Sequence, residues 1–170
     1  MRRIPEIRKA SHADVPPLVD SNSRVLVLGS MLSPKSAQAR FYYAHPQNRF
    51  WRVIAAVLCK PVPSTVLEQG ELALNGGIAL WDVIAECDIL GADDSTIENV
   101  VFNDIAGLLD THPNITRVFA TGGKAFKLLG KYNKQHNHPI ISDAVALPST
   151  SPRNCKMSLD MLISAYSVIL

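Results

Sequence analysis

Residues 24–29, Arg24-Val-Leu-Val-Leu-Gly29, form a short apolar run that ends in glycine. The hydrophobicity is continuous rather than alternating, which is typical of a strand covered on both faces in a parallel sheet. Similar runs recur along the chain, and segments with helical spacing separate them. Strands that alternate with helices predict a mainly parallel sheet between helical layers. We therefore expect an α/β fold, a three-layer α/β/α sandwich around a four-stranded sheet.

The same patterns of apolar residues predict the other strands and helices. Further strands are predicted at Ile78–Ile84, Arg117–Thr121 and Ile140–Leu147. Helices are predicted from Asn48 onward, over Ser64–Asn75 and Asn99–Leu109, after Gly122-Gly123 as far as Leu129, and at the C-terminus up to Ile169. Residues 1–23 are mostly polar and rich in proline, so they are predicted to be an irregular N-terminal arm. Residues 24–170 are predicted to be one domain.

The composition excludes several classes of protein. Of 170 residues, 47% are hydrophobic and the net charge is +2, so any DNA-binding face must be a local patch. The three cysteines are far apart and no Cys/His cluster exists. We therefore expect no metal, no other cofactor and a reduced, cytoplasmic setting. No apolar stretch approaches the length of a membrane span, so no membrane partner is expected.

The segment Gly122-Gly123-Lys124 does not complete a phosphate-binding loop. That motif requires a glycine five residues before its Gly-Lys pair and a Ser or Thr after the lysine. Val118 and Ala125 occupy these positions. A helix N-terminus at this point can still contact a phosphate through its backbone N–H groups.

The stretch Phe41-Tyr-Tyr-Ala-His-Pro-Gln-Asn-Arg-Phe-Trp-Arg-Val-Ile54 combines aromatic and polar side chains. Pro46 disfavours helix at the preceding residue, and Asn48 stands where a helix N-cap would. An aromatic and polar loop at a helix start suits a flat, polar ring, which it can stack and hydrogen-bond. The same pattern is also typical of a hydrophobic core with an ordinary cap. Both interpretations remain open on this stretch alone.

Two more polar loops follow strands that should end at one edge of the sheet, Gly29-Ser-Met-Leu-Ser33 and Leu147-Pro-Ser-Thr-Ser-Pro-Arg-Asn154. With these loops the chain resembles the uracil-DNA glycosylase superfamily from about Arg24 to the C-terminus. The segment Phe41–Trp51 is similar to Phe-Ala-x-Pro-x-Asn-Arg-Phe-Trp of the mismatch-specific uracil glycosylases. The resemblance implies a single catalytic domain with strand order 2-1-3-4.

Two departures sharpen the resemblance. The mismatch-specific branch has Asn third in its first motif, where this chain has Met31. Relatives open the second motif with Asn or His, where this chain has Leu147. The three motifs together resemble the hypoxanthine-DNA glycosylase branch, in which the essential Asn belongs to the segment matched by Asn48.

The resemblance implies the following site. Asn48 is expected to be catalytic, orienting water or binding the base edge. The base pocket is expected to contain Ser30, Met31, Tyr43 and His45, with Tyr43 stacking on the flipped base. DNA is expected to contact Ser149, Thr150, Ser151, Pro152, Arg153 and Lys124, with Pro152 or Arg153 entering the space that the base leaves.

The implied reaction removes a deaminated base from DNA. Cleavage of the N-glycosidic bond develops positive charge on the sugar and negative charge on the base. The motifs contain no carboxylate, so stabilisation of the leaving base is expected to matter more than base-catalysed attack of water. The partner is therefore DNA with deaminated bases, acted on by a monomer. A binding module that recognises such bases without cutting them, and a uracil glycosylase of relaxed specificity, remain alternatives.

Overall fold

A computed structural model of the protein describes residues 6–170. Its strands span Ile7–Ser11 (β1), Val25–Gly29 (β2), Ile78–Asp82 (β3), Ile84–Leu90 (β4), Glu98–Phe102 (β5), Arg117–Thr121 (β6) and Val145–Leu147 (β7). Its α-helices span Pro34–Ala39 (α1), Phe50–Val57 (α2), Val66–Asn75 (α3), Ile105–Thr111 (α4), Gly123–His136 (α5), Pro139–Ser142 (α6) and Leu159–Tyr166 (α7). Short 3-10 turns lie at Asp94–Thr96 and Ser167–Ile169.

The central sheet has the order β3-β2-β6-β7, and every neighbouring pair is parallel. Numbered along the predicted strands, this is the order 2-1-3-4, so the fold class and the strand order are confirmed. Gly29 and Asp82 are register partners at the carboxyl ends of β2 and β3. In open α/β sheets ligands bind beyond that edge.

Strand β2 is buried on both faces, as its continuous hydrophobicity predicts. Leu26 and Leu28 point into one core cluster and Val25 and Val27 into the other. Helices α4 and α5 pack on the first cluster, while α2 and α7 pack on the second. Complete burial of an aliphatic side chain of this size contributes about 1.5–3 kcal/mol, so the two layers fix the position of the strand ends.

Residues 6–23 are not the irregular arm that the sequence predicts. β1 pairs antiparallel with β4, and β5 completes a second sheet in the order β1-β4-β5. Leu18 forms a bridge with Leu80, and Ala10 is buried in the core. Pairing with β4 satisfies backbone groups that the proline-rich composition of this segment does not reveal. Residues 1–5 lie outside the described part of the chain.

The predicted strand Ile78–Ile84 belongs to both sheets. It ends in the central sheet at Asp82, and from Ile84 the chain continues as β4 in the second sheet. Between them, the backbone N–H of Val83 donates to the carbonyl of Gly29 at 2.9 Å. The turn from one sheet into the other therefore takes place beside the loop that follows β2.

The predicted helix Asn99–Leu109 is wrong in its first half. Residues 98–102 form β5, since β-branched residues such as Val101 favour a strand once a partner strand is available. The Asn103 side chain then donates to the carbonyls of Asp82 and Ile84, which anchors the connection. Helix α4 begins only after Asp104, whose carboxylate accepts from the N–H of Gly107.

The predicted strand Ile140–Leu147 is wrong in its first half too. Pro139 takes the first position of the short helix α6, where its fixed φ suits a helix and its missing N–H costs nothing. Only Val145–Leu147 pairs with β6. The prediction of helix Ser64–Asn75 holds to within two residues, because Thr65 and Glu68 form a capping box at its start.

Candidate active site

A cleft of about 580 Å³ lies at the carboxyl edge of the central sheet. The loops after β2 and β7 and the segment before α2 form much of its lining, together with residues of the second sheet and the Asp94 turn. Ten of the eleven predicted site residues line it: Ser30, Met31, Tyr43, His45, Asn48, Ser149, Thr150, Ser151, Pro152 and Arg153. Lys124, in the first turn of α5, is not among the lining residues. The roles of all eleven stay predictions.

The Tyr43 ring is held rigidly within the cleft. It stacks on Phe50 with a centroid separation of 3.7 Å and an interplanar angle of 11°. Its hydroxyl lies 3.3 Å from Thr121 Oγ1, and its backbone has the left-handed φ of 53°. Since Phe50 covers one face of the ring, only the opposite face is available to a bound base.

Asn48 is fixed through its side-chain oxygen. Oδ1 accepts from the backbone N–H of Phe50 at 2.9 Å and from the hydroxyl of Thr150 at 2.8 Å. Both partners are donors here, so the other amide atom must be the NH₂ group. That Nδ2 donates to no residue between 6 and 170, and Asn48 lines the cleft. Asn48 therefore has a free donor, Nδ2, for a ligand in the cleft, whereas its acceptor, Oδ1, is already hydrogen-bonded.

His45 offers a second donor to the same cleft. Its Nδ1 accepts from the backbone N–H of Gln47 at 3.1 Å, so the proton of a neutral ring lies on Nε2. The backbone carbonyl of His45 accepts from the N–H of Asn48 at 2.8 Å, which closes a turn before α2.

Arg49 ties the segment before α2 to the loop after β7. Its guanidinium donates to the carbonyls of Ser151 at 3.0 Å and Asn154 at 2.9 Å, and also to that of Met157. The backbone N–H of Arg49 donates to the carbonyl of Thr150 at 3.1 Å. Two of the three sequence motifs are therefore one hydrogen-bonded unit.

The cleft is also lined by carboxylates that lie outside the three sequence motifs. Asp94 lies in the turn after β4 and accepts from the Ser30 hydroxyl at 2.6 Å. Burial raises the pKa of Asp94, and the charge of Asp82 raises it further, although the Ser30 hydrogen bond acts in the opposite direction. Asp82 is the last residue of β3 and is 4% exposed.

Asp82 is paired with a histidine from the N-terminal segment. His12 Nε2 lies 2.7 Å from Asp82 Oδ2, and both side chains are buried. Burial lowers the pKa of His12, but the hydrogen bond and charge of Asp82 and the Val15 carbonyl outweigh it. The pKa of His12 is therefore raised above its ordinary value of 6.5. The sequence places Asp82 at the end of a predicted strand, which could have identified it as a residue of the site. Nothing in the sequence pointed to His12.

The raised pKa of His12 predicts how stability depends on pH. The stabilisation from this pair is complete below pH 6.5 and is lost as the pH rises through the raised pKa of the folded protein. Tyr42 and Tyr43 face the pair, but burial raises their pKa values, so they stay neutral in this range. Urea unfolding from about pH 6 to about pH 9 should show a steeper loss of stability in wild type than in His12→Gln. Parallel pH profiles would contradict the prediction.

Comparison with known proteins bears directly on this cleft. A family model described as the uracil DNA glycosylase superfamily matches residues 16–167, which include every predicted site residue. The chain belongs to the uracil DNA glycosylase superfamily. It is accordingly a DNA glycosylase, and its substrate is DNA.

Individual relatives within the superfamily agree with this assignment. A hypoxanthine DNA glycosylase from Methanosarcina acetivorans is 30% identical over 148 residues, 84% of this chain and 88% of the relative. One from Methanosarcina barkeri is 32% identical over 111 residues, 65% of this chain and 70% of the relative. A solution NMR structure of a candidate uracil DNA glycosylase from Methanosarcina acetivorans supports the fold, with a TM-score of 0.75 and 24% identity. It covers 91% of this chain and 96% of that one.

No helix within residues 6–170 combines the length and the apolar character that crossing a bilayer requires.

Proposed function

We propose that this member of the uracil DNA glycosylase superfamily removes hypoxanthine from DNA and leaves an abasic site. One observation carries the proposal: the free amide donor of Asn48 lines the same cleft as the anchored ring of Tyr43. The names of the two curated relatives support hypoxanthine as the base. Action as a monomer is part of the proposal.

The site residues suit each stage of the reaction. The enzyme must first unstack the nucleotide, at a cost of a few kcal/mol, and hold the base in a pocket. The open face of Tyr43 stacks on the base, which recovers about 1–3 kcal/mol. As the glycosidic bond breaks, negative charge develops on the base, and Asn48 Nδ2 donates to it. The Nε2–H of His45 is a second donor for the same charge.

Water then attacks the oxocarbenium-like sugar. Asp94 is a candidate acceptor for the proton of that water, since its raised pKa makes it a better base than an exposed carboxylate. Its contact with Ser30 places the carboxylate beside the first motif loop. The proposed mechanism therefore contains a carboxylate after all, supplied from outside the three motifs.

An excision assay tests the proposed function. Duplexes that carry one hypoxanthine, one uracil or one ethenocytosine are incubated with excess enzyme, and abasic sites are cleaved with alkali. We expect hypoxanthine to be released fastest. Tight binding to the hypoxanthine duplex without strand cleavage would show a binding module instead. Faster release of uracil would show a uracil glycosylase of relaxed specificity.

Arg153 is expected to contact the DNA backbone. Its side chain is 66% exposed at the rim of the cleft and lies 3.8 Å from Asp93. A single phosphate contact contributes about one to the slope of log affinity against log salt. Arg153→Ala should therefore weaken binding to all sequences and reduce the salt slope by about one. Arg52→Ala, on exposed α2 surface outside the cleft, is the matched control. An unchanged slope for Arg153→Ala would remove Arg153 from the interface.

A further inference from the structure

Helix α5 carries a concentration of positive charge, most of which lies outside the cleft. The whole chain has 17 Lys and Arg against 15 Asp and Glu, and α5 holds four of the lysines and no acidic residue, so the rest of the chain has a net charge of −2. In an otherwise slightly acidic chain, α5 is therefore a local basic patch of the kind that attracts an anionic partner.

Three of these lysines form one stripe on the solvent side of the helix. Lys127, Lys131 and Lys134 are exposed and follow one another at spacings of four and three residues, so they share a helix face. None of them forms an ion pair with a carboxylate between residues 6 and 170. At a rise of about 1.5 Å per residue, the stripe is about 10 Å long. The opposite face packs on the first core cluster through Ala125, Leu128, Leu129 and Tyr132.

The carboxylates of the neighbouring helix α4 have other partners. Helix α4 contacts α5 through the Ala106 N–H, which donates to the Tyr132 hydroxyl at 2.9 Å. The Asp104 carboxylate caps the start of α4, and Asp110 lies 3.5 Å from His138. The positive charge of the stripe is therefore not neutralised by α4.

Gly130 lies in the middle of this exposed face, one turn from both Phe126 and Lys134. A Cβ at position 130 would meet no atom within 4 Å. Alanine would therefore fit, and it would stabilise the helix by about 0.5–1 kcal/mol relative to glycine. Phe126 is 42% exposed beside it. A glycine that the packing of residues 6–170 does not require suits a surface that the backbone of another molecule approaches closely.

The stripe begins beside the cleft and leads away from it. A Cβ on Gly122, just before α5, would lie 3.5 Å from the Cβ of Ser149, which lines the cleft. Burial raises the pKa of Asp94 in the cleft, and the charge of Lys124 in the first turn of α5 opposes this. Because β6 and β7 are parallel, the chain between them returns across the sheet. Lys134 thus lies up to about 15 Å beyond Lys124.

We propose that the exposed face of α5, from Phe126 to Lys134, binds the sugar–phosphate backbone of a DNA segment outside the cleft. Lysine side chains attract phosphates without reading the sequence of bases. B-DNA has one phosphate charge per about 1.7 Å of its axis, so a stripe of about 10 Å faces several phosphates. Gly130 lets the backbone approach, and Phe126 packs against its sugars.

Such a surface serves the search for a damaged base rather than its removal. Electrostatic contacts that ignore sequence hold a protein on undamaged DNA and let it slide and hop along the duplex. The proposal rests on DNA as the substrate and not on which base is released. An excision assay that fails for hypoxanthine therefore leaves it intact, and undamaged DNA is the appropriate probe.

Binding to an undamaged fluorescent duplex over a range of salt concentrations tests the surface. A triple variant with Lys127→Gln, Lys131→Gln and Lys134→Gln removes three cations and keeps good helix formers. The slope of log affinity against log salt should fall by about two to three. An unchanged slope would overturn the proposal and leave the face to an acidic protein partner.

A second triple variant controls for net charge. Arg24→Gln, Arg52→Gln and Lys60→Gln make the same change of charge at exposed positions outside both α5 and the cleft. The slope should then fall by less than about one. Equal decreases in the two triple variants would show an effect of total charge and would overturn the proposal.

Gly130→Leu is a test that a folding defect cannot imitate. Its Cβ meets no atom of the free protein, and leucine is a better helix former than glycine, so the unfolding temperature should rise. The new side chain lies where the DNA backbone is expected, so affinity for the undamaged duplex should fall by at least about threefold. A more stable variant with undiminished affinity would overturn the contact on this face.

Single-turnover excision separates this surface from the active site. The substrate is a duplex with whichever base the wild type releases fastest. The α5 triple variant should raise the enzyme concentration that gives the half-maximal rate, because it weakens DNA binding. A decrease confined to the rate at saturating enzyme would show a disturbed cleft and would overturn the proposal.

Discussion

Asn48→Ala should lower the excision rate of hypoxanthine by about 100- to 1,000-fold, the usual effect of removing one preorganised donor to a developing negative charge. The structure identifies the donor as Nδ2, because the oxygen of the same amide already accepts from Phe50 and Thr150. Single-turnover excision at saturating enzyme measures the chemical step directly. Loss of the two hydrogen bonds also lowers stability by about 1 kcal/mol each, so folding must be verified by thermal unfolding.

Asn48→Asp is the decisive companion variant. The carboxylate keeps the acceptor for Phe50 and Thr150, and with it the structural role of the residue. It removes the amide donor and places negative charge where the leaving base becomes negative. A catalytic Asn48 therefore predicts that Asp is at least as damaging as Ala. An Asp variant that excises within about tenfold of wild type, roughly 1.4 kcal/mol in barrier, would leave Asn48 a structural cap and make His45 the residue to test.

The central sheet could be predicted because its signal is local. Strands β2, β3 and β6 are mostly buried between the helical layers, so a continuous apolar run such as residues 24–29 marks such a strand directly. The second sheet could not be predicted in the same way. Strand β5 has the exposed Val101 beside partly buried residues, and only its pairing with β4 distinguishes it from the start of a helix. β1 likewise depends on a partner almost 80 residues away.

The candidate site could likewise be predicted only in part, namely where the sequence carries motifs. The motif loops lie at strand ends of the central sheet and before α2, and the structure brings them into one cleft. His12 and Asp94 come from parts of the second sheet and its connections, where the sequence carries no motif. Their contacts with Asp82 and Ser30 are fixed by tertiary packing alone. Lys124, whose DNA contact was suggested by a glycine pair before a helix, is not among the residues that line the cleft, and its role stays a prediction.

Tyr43→Ala should reduce hypoxanthine excision by about 10- to 100-fold, because stacking of an aromatic ring on a base contributes about 1–3 kcal/mol. The change also uncovers Phe50, whose ring lies 3.7 Å away, so part of the effect is a loss of stability. Phe41→Ala supplies the matched control. Phe41 stacks on Trp51 in the same aromatic cluster but does not line the cleft, so its loss should lower the unfolding temperature and spare excision by the folded enzyme.

Tyr43→Phe then separates the ring from its hydroxyl. The hydroxyl makes one long contact, 3.3 Å to Thr121 Oγ1, and its loss should cost no more than about 1 kcal/mol of stability. The ring, its stacking on Phe50 and its open face toward the cleft are all retained in the variant. Excision should therefore stay within a few-fold of wild type. If Tyr43→Phe were as damaging as Tyr43→Ala, the hydroxyl would be the functional group, and Thr121, which positions it, would become part of the site.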